Sequence, residues 1–380
     1  MNSALYFDYA AATPLDPFVL EQMKPYFTDK FYNPSAMYLP ARAVRQDVEA
    51  ARAAVAQKIG ARPSEIIFTA GGTEANNLAI IGVLSQFPDA HVVLSPLEHD
   101  SVYEPAVRYA HSIIAVDETG VVDPVAIASA VTDQTVLVTV IYVQNEIGTI
   151  QPLRQVRNLL DEIKKERRRK GNMRPLLLHA DACQAPLYVD INVARLGVDL
   201  MTINGGKMYG PKHTGALYVK AGVTLQPILW GGGQERGLRS GTENVAGIVG
   251  FSTALTLADG RRREAARRVK ALQEQFLQQM PASLPTARIN GSLKLRSPNN
   301  IHISIPGTDN ERVMMELEAL GCIVAAGSAC SASAHKPSRV LAAIGVSDTE
   351  AQSSLRITLG AFTEQESINQ LVISLKTAIH

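Results

Sequence analysis

Short apolar, β-branched runs recur along the chain, separated by stretches whose apolar positions fall three and four residues apart. The runs EIIFTA (65–70), HVVLSP (91–96), SIIAVD (112–117), TVLVTVIYV (135–143), LLLHAD (176–181), VDLMTI (198–203) and GALYVK (215–220) read as strands. Between them, TEANNLAIIGVLSQF and PLRQVRNLLDEIKKERRRK carry the helical period near 3.6. Strand–helix alternation predicts an α/β fold, a mainly parallel seven-stranded sheet flanked by helices. Crossover handedness then places the C-terminal ends of the strands on one edge, where ligands usually bind.

Two longer amphipathic patterns stand apart, PARAVRQDVEAARAAVAQKIG (40–60) and RRREAARRVKALQEQFLQQM (261–280). The second is expected to lead into a smaller α+β domain. That domain would hold the strand NNIHISIP (299–306), a helix near 309–320, the loop around Cys330 and the strand SSLRITLG (353–360). At 380 residues the chain exceeds the size at which one core usually stops growing. The expected division is a large domain at 15–260 and a small one built from 1–14 with 261–380.

Composition narrows the function class. The chain is 46% hydrophobic and 19% charged, as in ordinary folded proteins, and its net charge of +1 supplies no field for nucleic acid or an acidic surface. The run KKERRRK (164–170) has no aromatic neighbours and reads as a solvated helix end, so no nucleic-acid partner is expected. The start MNSALYFDYAAATPLD lacks the basic and apolar regions of a signal peptide, and no apolar run reaches the roughly 18 residues of a membrane span. A cytoplasmic protein without membrane contact is expected. Three cysteines without CxxC spacing point to neither a disulfide framework nor a metal site.

Candidate chemistry gathers at strand ends and loops. Gly71-Gly72-Thr73 follow a strand and open a helix, which suits a phosphate held by backbone N–H groups or, equally, a tight turn with Thr73 as cap. Asp181 closes an apolar strand and needs a cation or N–H partner, or serves as a helix cap; Gln184 lies three residues on. Lys207, in NGGKMYGPK, is either a surface lysine or an amine in a desolvated cleft, where its pKa falls and it can form a Schiff base. Asn145 and Glu146 follow the strongest strand, and His99 follows the strand 91–96 in a structural or catalytic role. Cys330 sits on the small-residue loop AAGSACSASAHKP, whereas Cys183 and Cys322 read as packing residues. Arg356 suits bidentate recognition of a small carboxylate, or an ion pair between domains.

Taken in order, YFDYAAATPLDP, NPSA, GGTEANNLAI, EHDSV, QNEIGTIQP, HADACQ, GGKMYGPK…GALYV, GGGQERGLRSGTENV, GSACSA and LRITLG resemble one family nearly end to end. It is the pyridoxal-phosphate-dependent cysteine desulfurases of the NifS and IscS type, in fold-type I, aminotransferase class V. The resemblance implies pyridoxal 5'-phosphate linked to Lys207, with Asp181 against the pyridinium nitrogen and His99 over the ring. Gln184 and Asn145 would bond near the ring hydroxyl and the substrate. Gly72 and Thr73 would hold the phosphate, and Thr242 would reach that of a neighbouring subunit, implying a homodimer. Arg356 would clamp the substrate carboxylate, with Asn33 as a second candidate. Cys330 would take sulfur from L-cysteine as a persulfide, leaving L-alanine. A sulfur-acceptor or scaffold protein in iron–sulfur cluster assembly or tRNA thiolation is the implied partner.

The chain departs from that family where Asn204-Gly205-Gly206 stands in place of Ser-Gly-His before the lysine. Asn204 keeps an amide donor, Gly206 offers only its backbone N–H, and Lys212 or His213 are candidates to compensate. NPSAMYLPAR also lacks the histidine often found after Asn-Pro-Ser. Two other readings stay open: a selenocysteine or cysteine-sulfinate lyase or transaminase on the same fold, and a catalytically silent scaffold. Cys330 weighs against the first, and the set Lys207, Asp181, His99 and Cys330 against the second.

Overall fold

A computed structural model describes residues 5–327 and 338–379. Seven strands, β1 (Ile66–Thr69), β2 (His91–Leu94), β3 (Ala110–Ile113), β4 (Thr135–Thr139), β5 (Leu177–Asp181), β6 (Leu200–Asn204) and β7 (Gly215–Val219), form one sheet in the order β1-β7-β6-β5-β4-β2-β3. β7 runs antiparallel to both neighbours and the other pairings are parallel. Six strands therefore end on one edge, at Thr69, Leu94, Ile113, Thr139, Asp181 and Asn204.

Helices cover both faces, which is why most of these strands are apolar throughout. Phe68, Val93, Val138, Met201 and Tyr218 face one core with the helices Leu39–Ile59, Leu153–Arg169 and the first half of Val245–Ser283. Their sequence neighbours Ile67, Val92, Leu137, Leu200 and Leu217 face a second core with Leu78, Ile80 and Leu84 of the helix Gly72–Leu84. Each such side chain contributes about 1.5–3 kcal/mol on leaving water, so the sheet edge is a fixed platform.

A second, antiparallel sheet has the order β10-β9-β8, from β8 (Arg288–Ile289), β9 (Asn300–Ser304) and β10 (Ser354–Thr358). Its core joins Ile301, Ile303 and Ile357 to Phe276 of the long helix, Leu371 of the helix Gln365–Ala378, and Phe7. Phe7 belongs here because Tyr6 and Asp8 bridge to Ile323 and Thr358. Residues 5–9 thus tie the start of the chain to this sheet. No described helix is long and apolar enough to cross a membrane.

Three elements differ from expectation. β3 lies at 110–113 rather than 112–117, because it is an edge strand whose limits come from pairing with β2, Ala110 opposite His91. β4 stops at Thr139, although Val140 and Tyr142 still donate to His179 and Asp181 backbone oxygens. The helix expected at 261–280 runs from Val245 to Ser283. Its first half is rich in glycine and threonine and so carries a weak helical signal. Packing demands small residues there: a Cβ on Gly250 would stand 2.6 Å from Met23 Sδ.

Candidate active site

A cavity of about 300 Å³ opens at the strand ends, between the large sheet and β10. Asp181 ends β5 in its wall and is 4% exposed. A carboxylate so buried needs donors, and it has them: Asn76 Nδ2 reaches Oδ2 at 2.8 Å and Cys183 N reaches Oδ1 at 2.9 Å. Cys183 is not simply packed. It lines the same cavity, and burial, then the Asp181 charge, push its thiol pKa up.

Lys207 ends a 3₁₀ turn, Gly205–Lys207, that follows β6 directly. Asn204 starts the turn by accepting from Gly206 N at 3.0 Å. Gly205 must be glycine, since a Cβ there would stand 2.2 Å from Thr214 Oγ1. The turn is stitched to the chain start: Thr13 Oγ1 donates to Gly206 O and accepts from Tyr209 N. That seam brings the lysine amine to the backbone oxygens of Ala10 and Ala11, at 2.9 and 2.5 Å.

His99 begins the helix Asp100–Ala106, its Nδ1 accepting from Ser101 N at 3.1 Å. Gln184 Nε2 donates to Ala10 O at 2.9 Å, which places its amide beside the lysine. Arg356, from β10, enters from the other sheet. Its Nη2 meets Asp8 Oδ1 at 2.8 Å and its Nη1 meets Asn145 O at 3.2 Å, while Nε is buried without a partner among the described residues.

The helix Gly72–Leu84 points its N-terminus into the cavity, and no side chain caps it. Its first N–H groups and dipole therefore face open space. A Cβ on Gly72 would stand 2.8 Å from Cys183 Sγ and 3.4 Å from Asn204 Nδ2. The glycine keeps that cradle clear, and the Asn204 amide nitrogen turns toward it. An uncapped helix start, a buried carboxylate, a lysine and a guanidinium short of one partner fit a phosphorylated pyridine bearing an amino acid. The residues present fit pyridoxal 5'-phosphate.

The structure thus brings Lys207, Asp181, His99, Gly72, Thr73, Asn145, Gln184, Asn204 and Arg356 to one cavity. Others lie elsewhere. Gly206 is buried behind the turn, Asn33 is exposed with Oδ1 accepting from Ser35 N, and Thr242 is exposed on the 231–244 segment. Lys212 gives its ammonium to Thr13 O, and His213 lines a separate pocket beside Glu243. Cys330 lies outside the described residues. Sequence reasoning missed Asp8, Asn76 and Ser101. Asn76 was findable, one helical turn beyond Thr73 on the same face. Asp8 was findable as the one charge in the aromatic run YFDYAAA.

The aminotransferase class-V family matches residues 5–371. "Cysteine desulfurase IscS" of Dictyoglomus turgidum is 39% identical, over 100% of this chain and 95% of that one. A solved "NifS-like protein" superposes with a TM-score of 0.89 at 30% identity, over 98% of each chain. A structure titled "SspA in complex with cysteine" superposes with a TM-score of 0.80 at 31% identity, over 94% of this chain and 99% of that one. The chain belongs to the aminotransferase class-V family.

Proposed function

We propose that this chain is a cysteine desulfurase that converts L-cysteine to L-alanine and passes the sulfur to Cys330 as a persulfide. The acceptor is a protein of iron–sulfur cluster assembly or tRNA thiolation. The observation that carries the reading is the single cavity that gathers a lysine, a buried carboxylate, a histidine and an arginine around an uncapped helix start. The family works with pyridoxal 5'-phosphate, and a homologue binds cysteine, as its title states.

Pyridoxal 5'-phosphate, when bound, supplies an electron sink for the α-carbon of the amino acid. The residues supply the rest. Lys207 would hold the group through its amine and would be the base placed to move the α-proton. Asp181 holds the ring nitrogen protonated, and its donors Asn76 and Cys183 N keep it aimed. Gly72, Thr73 and the Asn204 amide take the phosphate, with Gly206 giving backbone support behind the turn. Gln184 and Asn145 would bond near the ring hydroxyl and the substrate, and His99 would lie over the ring. Arg356 takes the substrate carboxylate through its fork, with Asn33 as a minor candidate. In a homodimer, the exposed Thr242 serves the second copy's phosphate.

Cys330 is assigned as the nucleophile toward the substrate sulfur. The described residues on either side support this. Ala325 exchanges two backbone hydrogen bonds with Arg356. Ser338 donates to Glu146 at 2.7 Å, and Arg339 reaches Glu98 O at 2.8 Å and Asp100 Oδ1 at 2.9 Å. The chain therefore leaves beside the carboxylate clamp and returns beside His99.

The test is a visible spectrum of the purified protein before and after L-cysteine, with alanine and sulfide measured under reductant. The band is expected to change and both products to form. A keto acid in place of alanine would assign a transaminase. Turnover that survives Cys330→Ala would remove the persulfide step. A band that survives Lys207→Ala would remove the covalent link.

A further inference from the structure

Asn76 is 1% exposed on the helix Gly72–Leu84. Its Nδ2 donates both to Asp181 Oδ2, at 2.8 Å, and to Ser101 Oγ, at 2.9 Å. A carboxylate oxygen accepts, so the amide nitrogen and not the oxygen must face Asp181. Ser101 Oγ lies 2.8 Å from His99 Nδ1, and Ser101 N donates to the same nitrogen at 3.1 Å. A ring nitrogen that receives a backbone N–H carries the lone pair, so the imidazole proton sits on Nε2. Because Nδ1 then carries no proton, the Ser101 hydroxyl is the donor in that contact and shares the Nδ1 lone pair with Ser101 N. The chain reads in one direction, from Asn76 to Ser101 to His99, and each donor polarises the next.

Asn76 Oδ1 is buried without a partner among the described residues. A leucine of similar size would carry no such unsatisfied group. What the amide adds is the pair of donors, spent on two groups of one cavity. These two groups come from distant parts of the chain, the end of β5 and the start of the helix Asp100–Ala106.

We propose that Asn76 and Ser101 are positioning residues that bind the Asp181 carboxylate and the His99 imidazole into one hydrogen-bonded unit and keep the His99 proton on Nε2. In catalytic terms this rests on the desulfurase reading: the group under the ring nitrogen and the group over the ring face are set by one bridge. Neither Asn76 nor Ser101 needs to touch the substrate for this.

The test is nitrogen NMR of the full chain with ¹⁵N-labelled histidine, with cofactor bound and after its removal, the His99 lines being assigned by their loss in His99→Gln. The wild type is expected to show the Nε2–H form. Ser101→Ala and Asn76→Ala are each expected to move the Nδ1 resonance toward the value of a weaker acceptor, and Ser101→Thr to keep it. Turnover of the loaded enzyme is expected to fall by up to about tenfold in each alanine variant, the scale of one hydrogen bond. The double variant should lose no more than the larger single loss. A wild-type proton on Nδ1, unmoved lines in both alanine variants, or losses that multiply would each overturn the proposal. If the wild type makes no alanine from L-cysteine, the desulfurase reading fails while the nitrogen spectra still decide the bridge.

Discussion

Arg356 and Asp8, nearly a chain length apart, meet in an ion pair of 2.8 Å whose guanidinium is 2% exposed. The pair turns the arginine fork and leaves its buried Nε without a partner among the described residues. Arg356 lines the cavity, and under the proposed function its guanidinium takes the substrate carboxylate there. Arg356→Lys keeps the charge and loses the fork. It should raise KM for L-cysteine about ten- to a hundredfold, the scale of one charged hydrogen bond, with a smaller change in kcat. Cysteamine, which lacks the carboxylate, should be turned over no worse than by wild type. An equal loss on both substrates would make Arg356 a packing residue.

Gly206 and Gly72 stand close in the fold and should respond oppositely. A Cβ on Gly206 would meet nothing nearer than Asn204 Oδ1 at 3.5 Å, whereas one on Gly72 would sit 2.8 Å from Cys183 Sγ. Gly206→His, whose Cβ would make only ordinary contacts, should therefore fold and bind the cofactor at least as tightly. Gly72→Ala should weaken cofactor binding about tenfold or more, and Cys183→Ala in the same chain should restore most of it. Fluorescence titration with pyridoxal 5'-phosphate reads both. A Gly206→His protein that loses the cofactor would mean that the side chain crowds the turn.

Glu98 lies next to His99, buried, with Ile141 N on Oε1 at 2.6 Å and no partner on Oε2 among the described residues. Burial, and to a lesser degree the Asp181 charge, push its pKa up to about 8. Between the unfolded value near 4.5 and about 8 the folded chain holds this proton and the unfolded chain does not. The stability contributed by the neutral carboxyl is thus complete below the lower value and is lost as pH rises to about 8, at up to about 1.4 kcal/mol per pH unit. Glu98→Gln should remove that slope. Denaturant melts of both proteins between these pH values check it, and parallel curves would mean that Glu98 is ionised in the fold.

Glu235 accepts from both Arg52 Nη groups, at 2.7 and 2.8 Å, and from Phe68 N at 2.8 Å. The latch holds the segment leading to Thr242 against β1, with Glu235 and Arg236 at φ of 46° and 61°. Glu235→Ala leaves Arg52 with Glu49 and Ile66 O alone and Phe68 N without its acceptor, and should cost about 1–3 kcal/mol. Adding Arg52→Met should recover much of it. Calorimetric melts that show less than about 1 kcal/mol for the single variant would make the latch incidental.

The sheet was legible because buried strands must be apolar and their connecting helices periodic. Boundaries failed where another element decided them, as at β3, or where close packing replaced helix-favouring residues with glycine, as near Gly250. The cavity residues were visible as polar groups placed at strand ends and glycine turns. Asn76, Ser101 and Asp8 were harder to see, since an amide on a helix or an acid near the start of the chain announces no partner. Their meaning comes from pairings across long sequence separations, which periodicity does not encode. Cys183 packs as expected, but its neighbour in space is the glycine that opens the helix, so that packing also shapes the cavity.

The helix Val245–Ser283 puts Phe251 and Leu255 in the core of the large sheet and Val269 and Phe276 in the core of the small one. One continuous ladder of backbone bonds runs between them. Phe251 of this helix packs on the turn that carries Lys207, at Gly205, and Arg356 lies in the second sheet, so the rod and the seam from Asp8 to Ala11 together fix the span from amine to guanidinium. The helix is in this sense a caliper with its jaws clamped, setting the gap between the two groups.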